Sequence, residues 1–472
     1  MCLYFCKSFC YTKGVYKYIK LIYNNLLIKE VNKLLKKIIS LILAVAFVVM
    51  LSGCNATDLS ENKLLTPPKP TGELYEIQKA LESSVKGSIN LKYPTSGEYR
   101  SAFILKDLDN SGEEDYCIAL YAVGVESSQN IHLNVIKKTD GEWKSLHDTY
   151  YASSDVEMID FYDFTGDGIL EIIVGFNVYS GVDKQIAVYS LEKNSLVSRL
   201  LEPYDHFMFT DLNANKEKEL FVLNFDAATA ISTAKIFTFT KNGVTEEGSC
   251  RLDGTISSYL TPVESKIAND QPAIFIDAVK GKGLITEVVF IKDGKLYAPF
   301  INETTGQNTA TQRETSVSCK DINEDGKLDI PTLQQISGVT GNDVSNSYVT
   351  NWINHNGTEA FTVAYTIMNY VDGYYLTIPE DYVVNIGINR QTDARQRTFY
   401  IWNYEENLPE TELFTIMVVT LEAWYKMPAS SGYFELERDS GYVYLGKVET
   451  KEENEYSVTK EQLQEMFNLI KG

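Results

Sequence analysis

Asp163-Phe-Thr165-Gly-Asp167-Gly168-Ile169-Leu-Glu171 decides how this chain is read, because its plan recurs. Three other stretches share it: Asp107-Leu-Asp109-Asn-Ser111-Gly112-Glu113-Glu-Asp115, Asp211-Leu-Asn213-Ala-Asn215-Lys216-Glu-Lys218-Glu219 and Asp321-Ile-Asn323-Glu-Asp325-Gly326-Lys327-Leu-Asp329. Each offers oxygen side chains at positions 1, 3, 5 and 9, the donor type a hard cation such as Ca²⁺ takes. In the first, second and fourth loops the main-chain carbonyl at position 7 (Glu113, Ile169, Lys327) completes the set. Three of the four have Gly at position 6, where a sharp turn needs a residue that tolerates positive φ. The third is the weaker candidate: Lys216 replaces the Gly and Lys218 adds positive charge. Asp, Asn and Gly also dominate ordinary turns, so one such loop decides little. Four at intervals of 56, 48 and 110 residues, the last being two steps of 55, mark a repeat architecture.

The flanks of the loops are strand-like. Ser101-Ala-Phe-Ile-Leu precedes the first, Tyr116-Cys-Ile-Ala-Leu-Tyr follows it, and Ile172-Ile-Val and Leu220-Phe-Val-Leu follow the next two. Short apolar runs rich in β-branched and aromatic residues, bounded by turns, indicate buried strands. An EF-hand needs helices on both sides and Glu at position 12, where this chain has Ile118, Val174, Val222 and Thr332.

With strand–loop–strand repeats of this spacing, residues 98–355 resemble the FG-GAP and VCBS-type repeats of β-propellers. The resemblance implies a mainly β fold with one four-stranded blade per repeat and a structural Ca²⁺ in three or four of the loops. The stretch Ser265-Lys-Ile-Ala-Asn269-Asp270-Gln-Pro-Ala-Ile-Phe-Ile fills the long interval as a repeat without its ligands, which makes five recognisable blades, with flanking strands able to add more. Residues 356–472 lack the loop motif, gain aromatics and read as an α+β C-terminal domain; closure of the propeller by these strands is the alternative. A last helix is expected from Thr459, with Gln462 forming a capping box and Leu463, Met466, Phe467 and Ile470 on one face.

The front of the chain sets the compartment. Residues 34–53 carry Lys36 and Lys37 ahead of an apolar run, the layout of a signal peptide. The run from Ile38 to Leu51 is shorter than the roughly 20 residues a membrane span needs. Leu51-Ser-Gly-Cys54 resembles the bacterial lipobox, which implies cleavage before Cys54 and a lipid anchor, palmitate-type acyl chains included, on its thiol. The expected location is the extracytoplasmic face of the cell membrane. Residues 1–33 show no period and read as an upstream extension called in error, with translation starting at Leu34. Residues 54–72, with Pro67-Pro-Lys-Pro70, form a tether. Residues 73–97 begin with a short helix whose Leu74, Ile77, Leu81 and Val85 share a face.

A net charge of −21 argues against nucleic-acid partners. The four His residues (132, 147, 206, 355) form no ligand pair, and no nucleophile elbow, phosphate loop or dinucleotide fingerprint is present. Cys117 reads as a buried free thiol. Arg390, Arg395 and Arg397, beside Tyr400 and Trp402, read as a solvated strand face, with a site for an acidic ligand or glycan as the sharper alternative. No catalytic residue is assigned. The expectation is a lipid-anchored binding or interaction scaffold for a protein or glycan. A cell-envelope hydrolase acting on polysaccharide through carboxylates outside the loops is one alternative, and a component of a surface assembly the other.

Overall fold

The computed structural model describes residues 72–124, 130–177, 184–449 and 456–470. The extension 1–33, the signal-like segment, Cys54 and the tether as far as Thr71 lie outside them. The chain divides into two compact units, Met1–Tyr75 and Glu76–Gly472. The second unit is mainly β, built of antiparallel sheets joined by short connections.

Four consecutive stretches each fold into a meander, the arrangement that alternating apolar strands and two-residue turns favour. The first sheet contains Phe103–Lys106, Tyr116–Val123, Asn130–Thr139 and Glu142–Ala152, with Ile89–Leu91 extending its first edge. The second contains Asp155–Tyr162, Glu171–Asn177, Gln185–Glu192 and Ser195–Pro203. The third runs His206–Thr210, Glu219–Asp226, Ile231–Thr240 and Gly243–Leu252. The fourth has Val263–Lys266, Pro272–Lys280, Gly283–Lys292 and Lys295–Tyr297, with Ser258–Tyr259 also on its first edge. The stretch around Asn269 is therefore a full sheet in which a tight turn, closed by Ile267 N–H to Gln271 O at 3.0 Å, replaces the acidic loop.

Alternation along the strands sends successive residues to opposite faces, and consecutive sheets share a core between those faces. Ile118 and Leu120 of the first sheet meet Ile172 and Val174 of the second. Ile173 and Val188 of the second meet Leu220 and Val222 of the third. Phe221 and Leu223 then meet Ile274 and Ile276 of the fourth, and Phe275 and Phe290 meet Ile330 of the fifth. The remaining face of the first sheet is covered by the helix α1, Glu73–Ser84, whose Ile77 and Leu81 pack on Cys117, Tyr121 and Trp143. Leu74, expected on that face, is exposed.

The fifth sheet orders Ile330–Ile336, Ser347–His355, Ala360–Asn369, Tyr374–Ile378 and Phe467–Leu469. Strand pairing thus runs straight across the boundary expected at 355/356, which lies in a hairpin turn. The sixth sheet, with Ile386–Gln391, Gln396–Asn403, Leu408–Thr420 and Tyr442–Val448 at its centre, shares one core with the fifth. The C-terminal helix (Lys460–Met466) has the expected capping box between Thr459 and Gln462. It stops at Met466, and Phe467 enters the fifth sheet instead of continuing the helical face, because Phe467–Leu469 completes the edge beside Tyr374–Leu376. Among the described residues, no helix is long and apolar enough to cross a membrane.

Candidate metal centres

Each acidic loop sits between the first and second strands of a sheet; in the fifth sheet that first strand shrinks to the bridge at Lys320, paired with Asp329. The loops share a backbone that the sequence dictates locally. The position 1 carboxylate accepts the N–H groups of positions 5 and 6 in all four of them. Asp107 takes Ser111 and Gly112 at 3.0 and 2.8 Å, and Asp211 takes Asn215 and Lys216 at 2.9 and 2.8 Å. Asp321 takes Asp325 and Gly326 at 3.0 and 2.8 Å. In the second loop Asp163 takes Asp167 and Gly168 at 3.3 and 2.9 Å and also Gly166 at 2.7 Å. Position 6 has positive φ in all four, Lys216 included (φ 74°), so the third loop keeps the fold without Gly. Position 4 is left-handed as well, in Asn110, Gly166, Ala214 and Glu324.

Two further regularities are not evident from the loop motif alone. Position 2 is apolar and turned inward, with Leu108, Leu212 and Ile322 buried. Position 9 is a buried carboxylate that closes the loop in three repeats: Glu171 accepts Phe164 N–H at 2.9 Å, Glu219 accepts Leu212 N–H at 3.0 Å, and Asp329 accepts Ile322 N–H at 3.3 Å. A side chain on the third strand supports two of them, Ser190 on Glu171 (3.1 Å) and Asn354 on Asp329 (2.9 Å). Both signals were present in the sequence as Asp-apolar at the start and an acid just before each apolar run.

The first loop departs from this. Tyr116 pairs with Lys137 across the sheet, at the place Glu171 and Ser190, or Asp329 and Asn354, occupy in the other repeats. The residue structurally equivalent to Glu171 is therefore Tyr116, and the expected ninth ligand Asp115 stands one residue before it. An extra residue after the turn produces the offset, and alternation then faces Tyr116 toward the second sheet.

The electrostatics follow from burial. Glu171 and Glu219 are pushed above the usual carboxylate range, first by desolvation and then by the neighbouring loop acids. Asp329 is pushed up to about 6 by the same causes, Asp325 and Asp321 being the neighbours. A cation at the loop reverses that cost.

Whether these residues suit Ca²⁺ is tested best at the second loop. Thr165, Asp167, Ile169 and Glu171, which are positions 3, 5, 7 and 9, line one cavity of about 230 Å³ together with Ser190, Glu192, Arg199 and Lys241. The Thr165 hydroxyl oxygen is buried there and has no hydrogen-bond partner. Arg199 is paired with Glu192 and with Ser190 Oγ (3.1 Å). The donor set fits a hard cation: two carboxylates, a hydroxyl and a carbonyl. No group of three or more His, Cys, Asp or Glu converges among the described residues; the loop sets rely instead on hydroxyl, amide and main-chain oxygens. Bound Ca²⁺ would supply charge neutralisation. In the third and fourth loops Asn213, Asn215, Asn323 and Asp325 are exposed. The Lys327 side chain turns away to Asp270 (3.1 Å) and Ala268 O (3.0 Å), leaving its carbonyl as the loop's seventh donor. In the first loop Ser111 and Glu113 are exposed.

The other candidates resolve into internal structure. Arg390 pairs with Asp343 (2.5 Å), Arg395 with Asp372 (2.7 Å), and Arg397 donates to Asn369 (2.8 Å). Trp402 is buried against Gly338 and Gly387, where a Cβ would collide with the indole. Cys117 is buried and is not in a disulfide. A cluster not foreseen lies on the fourth sheet. Asp253 binds Lys280 (2.6 Å), Glu287 accepts Asp253 N–H (3.0 Å) and Asn308 Nδ2 (3.2 Å), and Arg313 binds Asp277 (2.9 Å). It fastens the segment around Asn308–Arg313 to the sheet. Its members are far apart in sequence and share no motif.

No family model and no curated protein matches this chain. Among solved structures it is similar to a protein from Lactobacillus plantarum, at 7% identity and TM-score 0.26 over 67% of this chain and 84% of that one. It is also similar to a rhamnogalacturonan lyase of Bacillus licheniformis, at 10% identity and TM-score 0.26 over 77% and 74%. A third is a mannose phosphorylase of Leishmania mexicana, at 8% identity and TM-score 0.22 over 51% and 80%. Similarity of that size does not establish a shared fold.

Proposed function

We propose that this chain is a lipid-anchored, extracytoplasmic binding or interaction scaffold made of five or more propeller-type blades, with Ca²⁺ held in three or four of its acidic loops. The observation that carries this reading is the shared loop construction. The best-placed carboxylates cap main-chain N–H groups and close turns, and the loops are tied to neighbouring repeats. Leu170 N–H donates to Leu108 O at 2.8 Å, and Leu328 N–H to Ser265 Oγ at 3.0 Å. Such ties hold one edge of the stacked sheets rigid and commit its acids to structure. Anchoring rests on Leu51-Ser-Gly-Cys54 and on the apolar segment before it. Glycan and protein surfaces are the ligands in view.

A glycan array probed with the chain in Ca²⁺, followed by mass spectrometry of any bound polysaccharide, tests the scaffold against the hydrolase alternative. The scaffold reading expects retention of intact glycan; shortened products would contradict it. For the anchor, Cys54→Ala should abolish metabolic labelling by fatty acid, and continued labelling would remove that part of the reading.

A further inference from the structure

The first loop differs from the others in one respect that bears on what it binds. Lys137 Nζ lies 3.2 Å from Asp109 Oδ2, 3.6 Å from Asp115 Oδ2 and 2.6 Å from the Tyr116 hydroxyl. It is thus a positive charge surrounded by oxygens of the loop and of the strand that follows it. Its ring contact is with Tyr116 too, 4.2 Å from the centroid. The register shows why only this repeat has it. The residue facing the loop-closing position is Lys137 in the first sheet, Ser190 in the second, Thr238 in the third and Asn354 in the fifth, each placed just past a β-bulge. Three are neutral and face a carboxylate; the fourth is a cation and faces a phenol.

We propose that Lys137 is the resident cation of the first loop, so that residues 107–115 take no divalent ion while the loops at 163–171, 211–219 and 321–329 do. The inference rests on the Ca²⁺ reading of those other loops. An ammonium on this strand and a dication among Asp109 and Asp115 would compete for the same two carboxylates, and like charges a few ångströms apart repel even at a partly exposed site. The tethered ammonium has the advantage of local concentration. Among the repeats that have an acidic loop, the first is then the one whose folding is independent of Ca²⁺. Asp109 Oδ1 and Asp115 Oδ1 are buried and have no hydrogen-bond partner. Removing the ammonium leaves both carboxylates facing one place, a latent cation site.

The experiment is Ca²⁺ stoichiometry on the full chain, by equilibrium dialysis with radioactive Ca²⁺. Asp109→Asn should leave the number of bound ions unchanged. Lys137→Met should raise it by one, and Asp109→Asn in the Lys137→Met background should cancel that gain. Installing the second loop's pair, Tyr116→Glu with Lys137→Ser, should also add one ion. It guards against a fold defect specific to the methionine. Tb³⁺ luminescence excited through tyrosine gives a second readout, since Tyr116 touches the loop: sensitised emission should rise in Lys137→Met. A wild-type chain that loses one ion on Asp109→Asn, or a Lys137→Met chain and a paired variant that both gain none, would overturn the proposal. Asp163→Asn separates the two readings. If it fails to remove an ion, Ca²⁺ binding at the second loop is wrong, whereas the Lys137 variants still decide the first loop.

Discussion

The first and second loops have the same backbone and opposite means of balancing charge. In both, an Asp carboxylate caps the N–H groups of positions 5 and 6, and positions 4 and 6 are left-handed. The second closes on Glu171, buried and supported by Ser190, beside a cavity with an unpartnered hydroxyl. The first closes on Tyr116, with Lys137 reaching its acids. Loop shape is therefore set within nine residues, whereas the charge inside the loop is set by the strand opposite. An acidic motif specifies the turn, and a residue some twenty positions later decides what the turn holds.

The largest expected effect breaks this comparison at the closing residue. Glu171→Ala removes the acceptor for Phe164 N–H and for Ser190, and should cost about 3–4 kcal/mol in chelator, two hydrogen bonds to a buried charge. Asp115→Ala, at a partly exposed pair with Lys137, should cost less than about 1 kcal/mol. Equal costs in urea unfolding would show that the two loops close alike.

Next in size is a buried acid that has no loop at all. Glu287 is pushed up to about 7, foremost by burial and then by the Asp253 carboxylate, against the opposing Asp253 N–H, Asn308 and Lys280. Because its folded pKa exceeds its ordinary 4.5, the folded chain holds the proton more tightly than the unfolded one. That contribution is complete below about 4.5 and is lost as pH rises through about 7, a change of about 3 kcal/mol. Wild-type urea midpoints should fall across this window, and Glu287→Gln should flatten the fall. An unchanged slope would remove Glu287 as its source.

The smallest effects test the backbone the loops share. A Cβ at Gly168 would meet no atom within 4 Å, so Gly168→Ala should cost only the left-handed penalty of about 1 kcal/mol. Lys216→Gly relieves the same strain in the third loop and should stabilise by a similar amount, or somewhat less after chain entropy is counted. A loss of stability in Lys216→Gly would mean that the lysine side chain contributes to the loop.

Much of this architecture was legible because it repeats. The short apolar runs after the first three loops marked the second strands, and the spacing placed a full sheet around Asn269 where no ligand set exists. The capping box at Thr459 was legible because a cap is local. What failed was non-local. The extra residue before Tyr116 is invisible until cross-strand register is known, and Lys137 looks like any strand lysine in the sequence. The boundary expected at 355/356 fails for the same reason. Loss of the loop motif marks the end of a sequence pattern, while the pairing of Ser347–His355 with Ala360–Asn369 continues through it. The Asp253–Glu287–Asn308 cluster has no spacing to betray it, since its members meet only after the segment following the fourth sheet folds back.

The central claim, that the acidic loops hold Ca²⁺ as part of the folded structure, is tested most directly by thermal unfolding of the chain in excess Ca²⁺ and in excess chelator. An ion bound only by the folded state stabilises it by about 2.7 kcal/mol when present at a hundred times its dissociation constant. The account predicts a melting temperature several degrees higher in Ca²⁺, restored when Ca²⁺ is added back after chelation. Superimposable transitions in the two buffers would contradict it.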